Sequence, residues 1–262
     1  MEPLSTEALA ERELDNVLRV WEAGLALDAE ALFERDGSVA WFSSGLPIAF
    51  LNEVLTCGLD PSPATLERAV ATLRERGNPF IARTRDGIDD AAVPVLERLG
   101  LREDPEEALP GMAMHPIDAE ALASPVPAGL ELRRVEDAAG LADHHEVLAG
   151  GFGMPLDIAR RLIPEATLGL PTCAIVVGYA DGTPVVTAMA ATFEGTVGVY
   201  NVATLEGHRR LGYGEALTRR AVLDGVARGA TVAILQSSPM GRGIYERIGF
   251  REVVRYRVFV ES

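Results

Sequence analysis

Val199-Tyr200-Asn201-Val202-Ala203-Thr204-Leu205-Glu206-Gly207-His208-Arg209-Arg210-Leu211-Gly212-Tyr213-Gly214 is the stretch whose reading decides the fold. A β-rich apolar run enters a turn that carries two arginines, Arg209 and Arg210, and two glycines, Gly212 and Gly214. An amphipathic helix pattern starts directly after it. Glycine tolerates positive φ and lets backbone approach a ligand closely. A helix start presents N–H groups with no intrahelical partner and the positive end of the helix dipole. With the arginines beside it, the turn reads as an anion site, and several N–H groups in a row suit a pyrophosphate. Taken alone, the same residues also read as a surface turn whose glycines merely end a strand. No Gly-Lys-Ser/Thr follows, so this is not a nucleoside-triphosphate loop. The third glycine and the parallel βαβ setting of the dinucleotide fingerprint are missing too.

Outward from this stretch the second half alternates in order. Leu130 to Val135 reads as a strand, and Asp137 as the N-cap of a helix through Leu148. Another helix is expected from about Pro155 to Leu162. Cys173 to Tyr179 and Pro184 to Phe193 are apolar, β-rich runs separated by Ala180-Asp181-Gly182-Thr183, and Asp-Gly there signals a hairpin. Glu194-Gly195 turns into Thr196 to Val202, which makes three antiparallel strands in succession. A helix at Gly214 to Arg228, a strand at Thr231 to Gln236, a short helix at Gly243 to Ile248 and a final strand at Val253 to Val260 complete the pattern. Ala119 to Gly129, with two prolines and small residues, reads as a linker.

The first half echoes the second. Glu97-Arg98-Leu99-Gly100-Leu101-Arg102-Glu103 matches Glu246-Arg247-Ile248-Gly249-Phe250-Arg251-Glu252 at five of seven positions. Upstream, Arg68-Ala69-Val70 and Arg76-Gly77 align with Arg220-Ala221-Val222 and Arg228-Gly229. In both places a helix is expected to end at Arg-Gly and a strand to follow, Pro79 to Ala82 and Thr231 to Gln236. Two matches in one order at nearly one separation point to duplication. The fold class is therefore α/β (α+β), a mixed, mostly antiparallel sheet flanked by helices, in two tandem copies with residues 1–122 and 129–262 as domains.

Composition bounds the function. An apolar fraction of 48% and a positive mean hydropathy support a buried core. No apolar run reaches the length of a membrane span, and the acidic start lacks a signal-peptide pattern, so a cytoplasmic protein with no membrane partner is expected. The formal charge is −15, with every basic residue an arginine, which argues against nucleic acid and is compatible with a cationic small substrate. Cys57 and Cys173 are too few for a disulfide framework or a zinc cluster. His115, His144, His145 and His208 lack metal-ligand spacing, so no metal is expected.

Arg209, Gly212 and Gly214 fit a signature of the form Arg/Gln, two residues, Gly, one residue, Gly/Ala. Ile244-Tyr245-Glu246-Arg247-Ile248-Gly249-Phe250 fits a second, a tyrosine followed by Gly-Phe. On these motifs, about thirty residues apart with a helix and a strand between them, the second half resembles the GNAT superfamily of acyl-CoA N-acyltransferases. The first half resembles it only weakly. The resemblance implies an enzyme that moves an acetyl or short acyl group from acetyl-CoA, as co-substrate, to an amine by direct attack. The backbone of Val202, Ala203 and Thr204, at a strand end splayed by a bulge, is expected to bind the pantetheine arm. The N–H groups of Arg210, Leu211, Gly212, Tyr213, Gly214 and Glu215 are expected to hold the pyrophosphate, with Arg209 nearby. Tyr245 is expected near the sulfur, where its phenol protonates the leaving thiolate; otherwise it is an aromatic packing residue on a short helix.

Asn201, with Tyr200, lies at the strand end facing the gap and is expected to orient a water or hold the acyl carbonyl. No base is assigned: Glu194 sits in a hairpin turn, Glu206 in a loop, and Ser237 and Ser238 stand where serine before proline often shapes a turn. The first half carries Leu96 at the place of Tyr245 and Cys57-Gly58-Leu59-Asp60-Pro61-Ser62-Pro63 before its Ala64–Arg76 helix. Two prolines there remove N–H donors and Asp60 repels phosphate, so this copy is expected to have lost CoA binding. It would then cover the catalytic half or complete the acceptor cleft, with Trp41-Phe42 and Pro47 to Leu51 as cleft wall or core. A small-molecule amine acceptor and a monomer or homodimer are expected. The rival readings are a non-catalytic CoA-binding regulatory or scaffold module and, last, a thioester hydrolase, for which no Ser-His-Asp arrangement is evident.

Overall fold

The computed structural model describes residues 4–261. In chain order its elements are α1 (Thr6–Leu25), β1 (Leu32–Asp36), β2 (Val39–Ser43), β3 (Asn52–Thr56), α2 (Pro63–Arg76), β4 (Ile81–Arg85), α3 (Val93–Arg98), β5 (Leu101–Glu103) and β6 (Leu109–Met114). Then come α4 (Ala119–Leu122), β7 (Leu130–Arg134), α5 (Ala138–Phe152), α6 (Leu156–Leu162), β8 (Cys173–Ala180), β9 (Thr183–Phe193) and β10 (Thr196–Thr204). The last are α7 (Tyr213–Val226), β11 (Val232–Gln236), α8 (Arg242–Arg247) and β12 (Arg251–Glu261). The chain forms two compact units, one of Met1–Val17 with Met112–Arg251, the other of Leu18–Gly111 with Glu252–Ser262. These cuts differ from one at the 119–129 linker, because the last strand pairs with β4 and β5.

In the unit holding Met112–Arg251, the strands run β6-β11-β10-β9-β8-β7. β7 to β10 pair antiparallel, while β10 and β11 run parallel with α7 between them in sequence. The two hairpin turns form as the dipeptides predict. Asp181 and Gly182 have φ of 48° and 77°, and Glu194 and Gly195 of 44° and 75°. Positive φ at both central positions matches the turn to the strand twist. Asp137 caps α5 by accepting from the Gly140 N–H at 2.8 Å.

α7 covers one face of the sheet, its buried Leu217, Ala221 and Val222 in one cluster with Val197 and Val199. Gly225 lies so close to Val197 that any β-carbon there would overlap it. α5 covers the other face, where His144 Nδ1 bonds Thr187 Oγ1 at 2.7 Å. This helix runs past Leu148 through Gly150-Gly151 to Phe152, and ends on Gly153 in the left-handed region. The glycine pair is what allows close packing: a β-carbon on Gly151 would sit 2.8 Å from that of Ala203.

The other unit has strand order β1-β2-β3-β4-β12, with β5 pairing β12. It repeats the central unit of its counterpart: β3 and β4 run parallel with α2 between them in sequence, as β10 and β11 do around α7. Trp41 is buried in the core with Leu66, Val70, Leu96 and Phe259. Phe42 is fully buried and stacks on Trp21 at 4.6 Å, so this aromatic pair is core rather than cleft wall.

Candidate functional site

β10 carries the site because it cannot stay paired on both edges. Its pairing with β11 covers Thr196↔Val232 to Gly198↔Ile234 and then stops, although β10 continues to Thr204 and β11 to Gln236. On the other edge, pairing with β9 skips between Tyr200 and Ala203. Asn201 absorbs the irregularity with φ of 54°, a conformation an asparagine tolerates better than most residues. Because Tyr200 faces Met189 and Ala203 faces Thr187, the bulge keeps Tyr200 and Ala203 on one face and sets Val202 against the α7 cluster. A strand edge from Val199 onward is thus left without a β11 partner, a row of backbone groups that an extended amide chain can pair with.

The turn beyond it is shaped as the glycines predict. Arg210 has φ of 63°, and Gly212, the N-cap of α7, has φ of 79° and offers no side chain to cap the helix. The first-turn N–H groups of α7 therefore keep their donor capacity. Gly214 faces the strand end: a β-carbon there would meet Thr204 Oγ1 at 3.5 Å. Glu215, acidic in this first turn, turns its carboxylate onto Arg219 at 2.8 Å. A groove of about 300 Å³ opens beside the turn, lined by Leu122, Val126, Leu132, Gly212, Ala216 and Arg219 among others. Arg209 does something the sequence did not show. Its Nε donates to the Thr204 carbonyl and its Nη2 to that of Gly151, both at 3.1 Å, which ties the end of β10 to α5.

Tyr245 lies on α8, packed against the main cluster, its ring edge-on to Phe250 at 6.2 Å. Gly249, with φ of 106°, makes the reversal that brings Phe250 beneath it, which gives the Tyr…Gly-Phe spacing a physical cause. Gly241 supports the ring from the other side, since a β-carbon there would be 2.8 Å from Tyr245 Cε2. Burial pushes the Tyr245 phenol up to about 12, so it holds its proton at neutral pH. Ser237 donates to the Ser238 carbonyl, and Ser238 Oγ accepts from the Gly241 N–H, so these serines shape the turn into α8. Glu194 has its carbonyl bonded by Arg12 in the hairpin turn, and Glu206 is exposed. His144 and His145 aim apart, His144 at Thr187 and His145 Nε2 at the Ile163 carbonyl.

The corresponding place in the other unit is built differently. Ser62 caps α2 with its own side chain and Pro63 stands in its first turn. The Thr56 hydroxyl, at the end of β3, bonds Asp89 Oδ2 at 2.7 Å and the Arg83 carbonyl at 3.3 Å, which holds β3 to β4. Leu96, at the place of Tyr245, is fully buried.

Residues 171–252 match the family model of the GNAT acetyltransferase domain. The matched segment is similar to a GNAT domain. It contains β10, the turn, α7, β11 and α8. No curated protein sequence matches the chain. Among solved structures, a GCN5-related N-acetyltransferase from Kribbella flavida shares 22% identity over 95% of both chains, with a TM-score of 0.70. One from Sphaerobacter thermophilus shares 18% over 94% of this chain and 84% of its own, at 0.64. A tandem GNAT protein from the clavulanic acid biosynthesis pathway, determined without AcCoA, shares 13% over 98% and 96%, at 0.63. These likenesses carry the fold, and the GNAT fold thus extends beyond the matched segment. Among the described residues, no helix is long and apolar enough to cross a membrane.

Proposed function

We propose that the chain is an N-acyltransferase, acting in the cytosol, that moves an acetyl or short acyl group from CoA to the amine of a small molecule by direct attack. In this reading residues 129–262 carry the one active site and residues 1–122 are a degenerate copy that has lost CoA binding. The observation that carries it is the parting of β10 from β11 next to an uncapped helix start. The free edge at Val202, Ala203 and Thr204 has the right backbone groups for the amides of a pantetheine arm. The N–H groups from Arg210 to Glu215 suit a pyrophosphate, because a helix start favours anions. Arg209 then acts by fixing the strand end rather than by reaching the phosphates.

Chemically, the amine nitrogen forms a bond to the acyl carbon as the carbon–sulfur bond breaks. The amine sheds a proton, and the thiolate gains one. Tyr245, protonated and packed between Gly241 and Phe250, is the donor to the thiolate. Asn201, in its left-handed conformation at the bulge, would hold the acyl carbonyl or a water. The test is calorimetry with acetyl-CoA followed by free-thiol release with a panel of amines. Binding with amine-dependent thiol release is expected. Binding without turnover would instead favour the CoA-binding module, and no binding would defeat the reading altogether.

A further inference from the structure

The gap between the parted strands has a closed end. In the unit that holds Met1–Val17, β10 and β11 pair as far as Gly198↔Ile234 and separate beyond it. At that point the Tyr200 ring folds back over Gly198, where a β-carbon would lie 2.4 Å from Tyr200 Cε2 and 2.7 Å from its hydroxyl. The phenol donates to Asn16 Oδ1 on α1 at 2.8 Å. Asn16 is buried and locked in turn, because its Nδ2 donates to the Thr196 carbonyl at 2.9 Å and to that of Ala191 at 3.3 Å. That orientation leaves Oδ1 as the end that faces the phenol. The same helix also ties the other arm, since Gln236, at the end of β11, donates to Glu13 at 3.1 Å. On the opposite face of the sheet, Val199 and Leu235 are buried in the α7 cluster against which Tyr245 packs.

In the acyltransferase reading, the pyrophosphate sits at the start of α7 and the pantetheine arm runs along β10 from Thr204 to Val202. The thioester then reaches the bulge at Asn201, and the acyl carbons beyond it point along β10 toward Gly198, where the strands rejoin. Tyr200 is only half-buried, as a side chain that walls an open gap must be. We propose that Tyr200 is the stop at the end of the acyl pocket, that Asn16 is the positioning residue that locks it, and that the pair restricts the donor to acetyl-CoA against longer acyl chains. The proposal rests on the acyltransferase reading and specifies its acyl group. A ring tied by its hydroxyl to a buried amide does not swing aside, and two arms fastened to one helix do not spread. Each added methylene therefore meets packed atoms, and forcing extra volume into a packed site is costly.

The experiment uses the full chain and an amine found active in the panel, and compares kcat/KM for acetyl-CoA and butyryl-CoA by free-thiol release. The unaltered chain is expected to favour acetyl roughly a hundredfold or more, since one methylene too many changes kcat/KM by about tenfold or more. Tyr200→Ala is expected to raise the butyryl-to-acetyl ratio roughly tenfold or more, and Asn16→Ala to raise it less. Tyr200→Phe, which keeps the ring, is expected to retain the preference for acetyl. Equal use of both donors by the unaltered chain overturns the proposal, as does a Tyr200→Ala ratio no different from the unaltered one. A proportionate loss with both donors also overturns it and makes Tyr200 a packing residue. Should Tyr200→Ala not fold, Tyr200→Leu, with its smaller side chain, gives the same comparison. Failure of the unaltered chain to bind acetyl-CoA would sink the acyltransferase reading instead, a separate and distinguishable result.

Discussion

At the scale of single residues, burial sets the protonation of two groups, Tyr245 and His144. Tyr245 is held neutral, and its replacement by Phe keeps the packing against Phe250 while removing the proton. Turnover should then fall roughly a hundredfold or more with the acetyl-CoA Kd nearly unchanged, as calorimetry and thiol release will read. His144 is pushed down to about 3 by burial, with His145 adding to the effect. Between 6.5 and that value the unfolded chain takes up a proton that the native one does not, so stability falls as pH drops through this window. The slope from one such group is at most about 1.4 kcal/mol per pH unit. His144→Gln, which keeps a donor for Thr187, should flatten the decline in urea midpoint between about pH 6.5 and pH 4. An unaltered slope would assign the acid sensitivity elsewhere.

Elements were legible where local chemistry dictates them. Both Asp-Gly and Glu-Gly turns, the Asp137 cap and the helix after Gly212 are set by short-range preferences, and each formed where its residues indicate. α1 and β1 to β3 were not assigned from sequence. In α1 the signal existed: Leu9, Ala10, Leu14 and Val17 recur with helical period, but Glu13 and Asn16 interrupt that stripe. The interruption reflects their polar contacts with Tyr200 and Gln236, and sequence gives no means to tell it from a weak helix. The tie made by Arg209 was hidden by a related gap, since one of its two carbonyl partners, that of Gly151, lies on a helix 58 positions away. Gly150-Gly151 likewise reads as a helix stop, yet it is the face on which α5 meets β10. Gly151→Val should push α5 off the strand end, costing about 1–3 kcal/mol of stability and weakening acetyl-CoA binding roughly tenfold, measurable by denaturant unfolding and calorimetry.

Across the whole molecule, the proposed degenerate first copy predicts arithmetic. With Ser62 capping α2, Thr56 holding β3 to β4 and Leu96 in place of a tyrosine, calorimetric titration should give one acetyl-CoA per chain; a ratio of two would show that the copy in the first half still binds. The interleaving of the two units bears on biogenesis. The sheet of the Leu18–Gly111 unit closes with β12, so a growing polypeptide must thread out all of 112–251 before that sheet receives its last strand. During synthesis the early part waits with the edge of β4 exposed while its sister region is still emerging. Such delayed, long-range pairing is where nascent chains fold slowly and stick to one another. The Leu18–Gly111 unit can therefore not be excised as an uninterrupted fragment and keep its sheet whole.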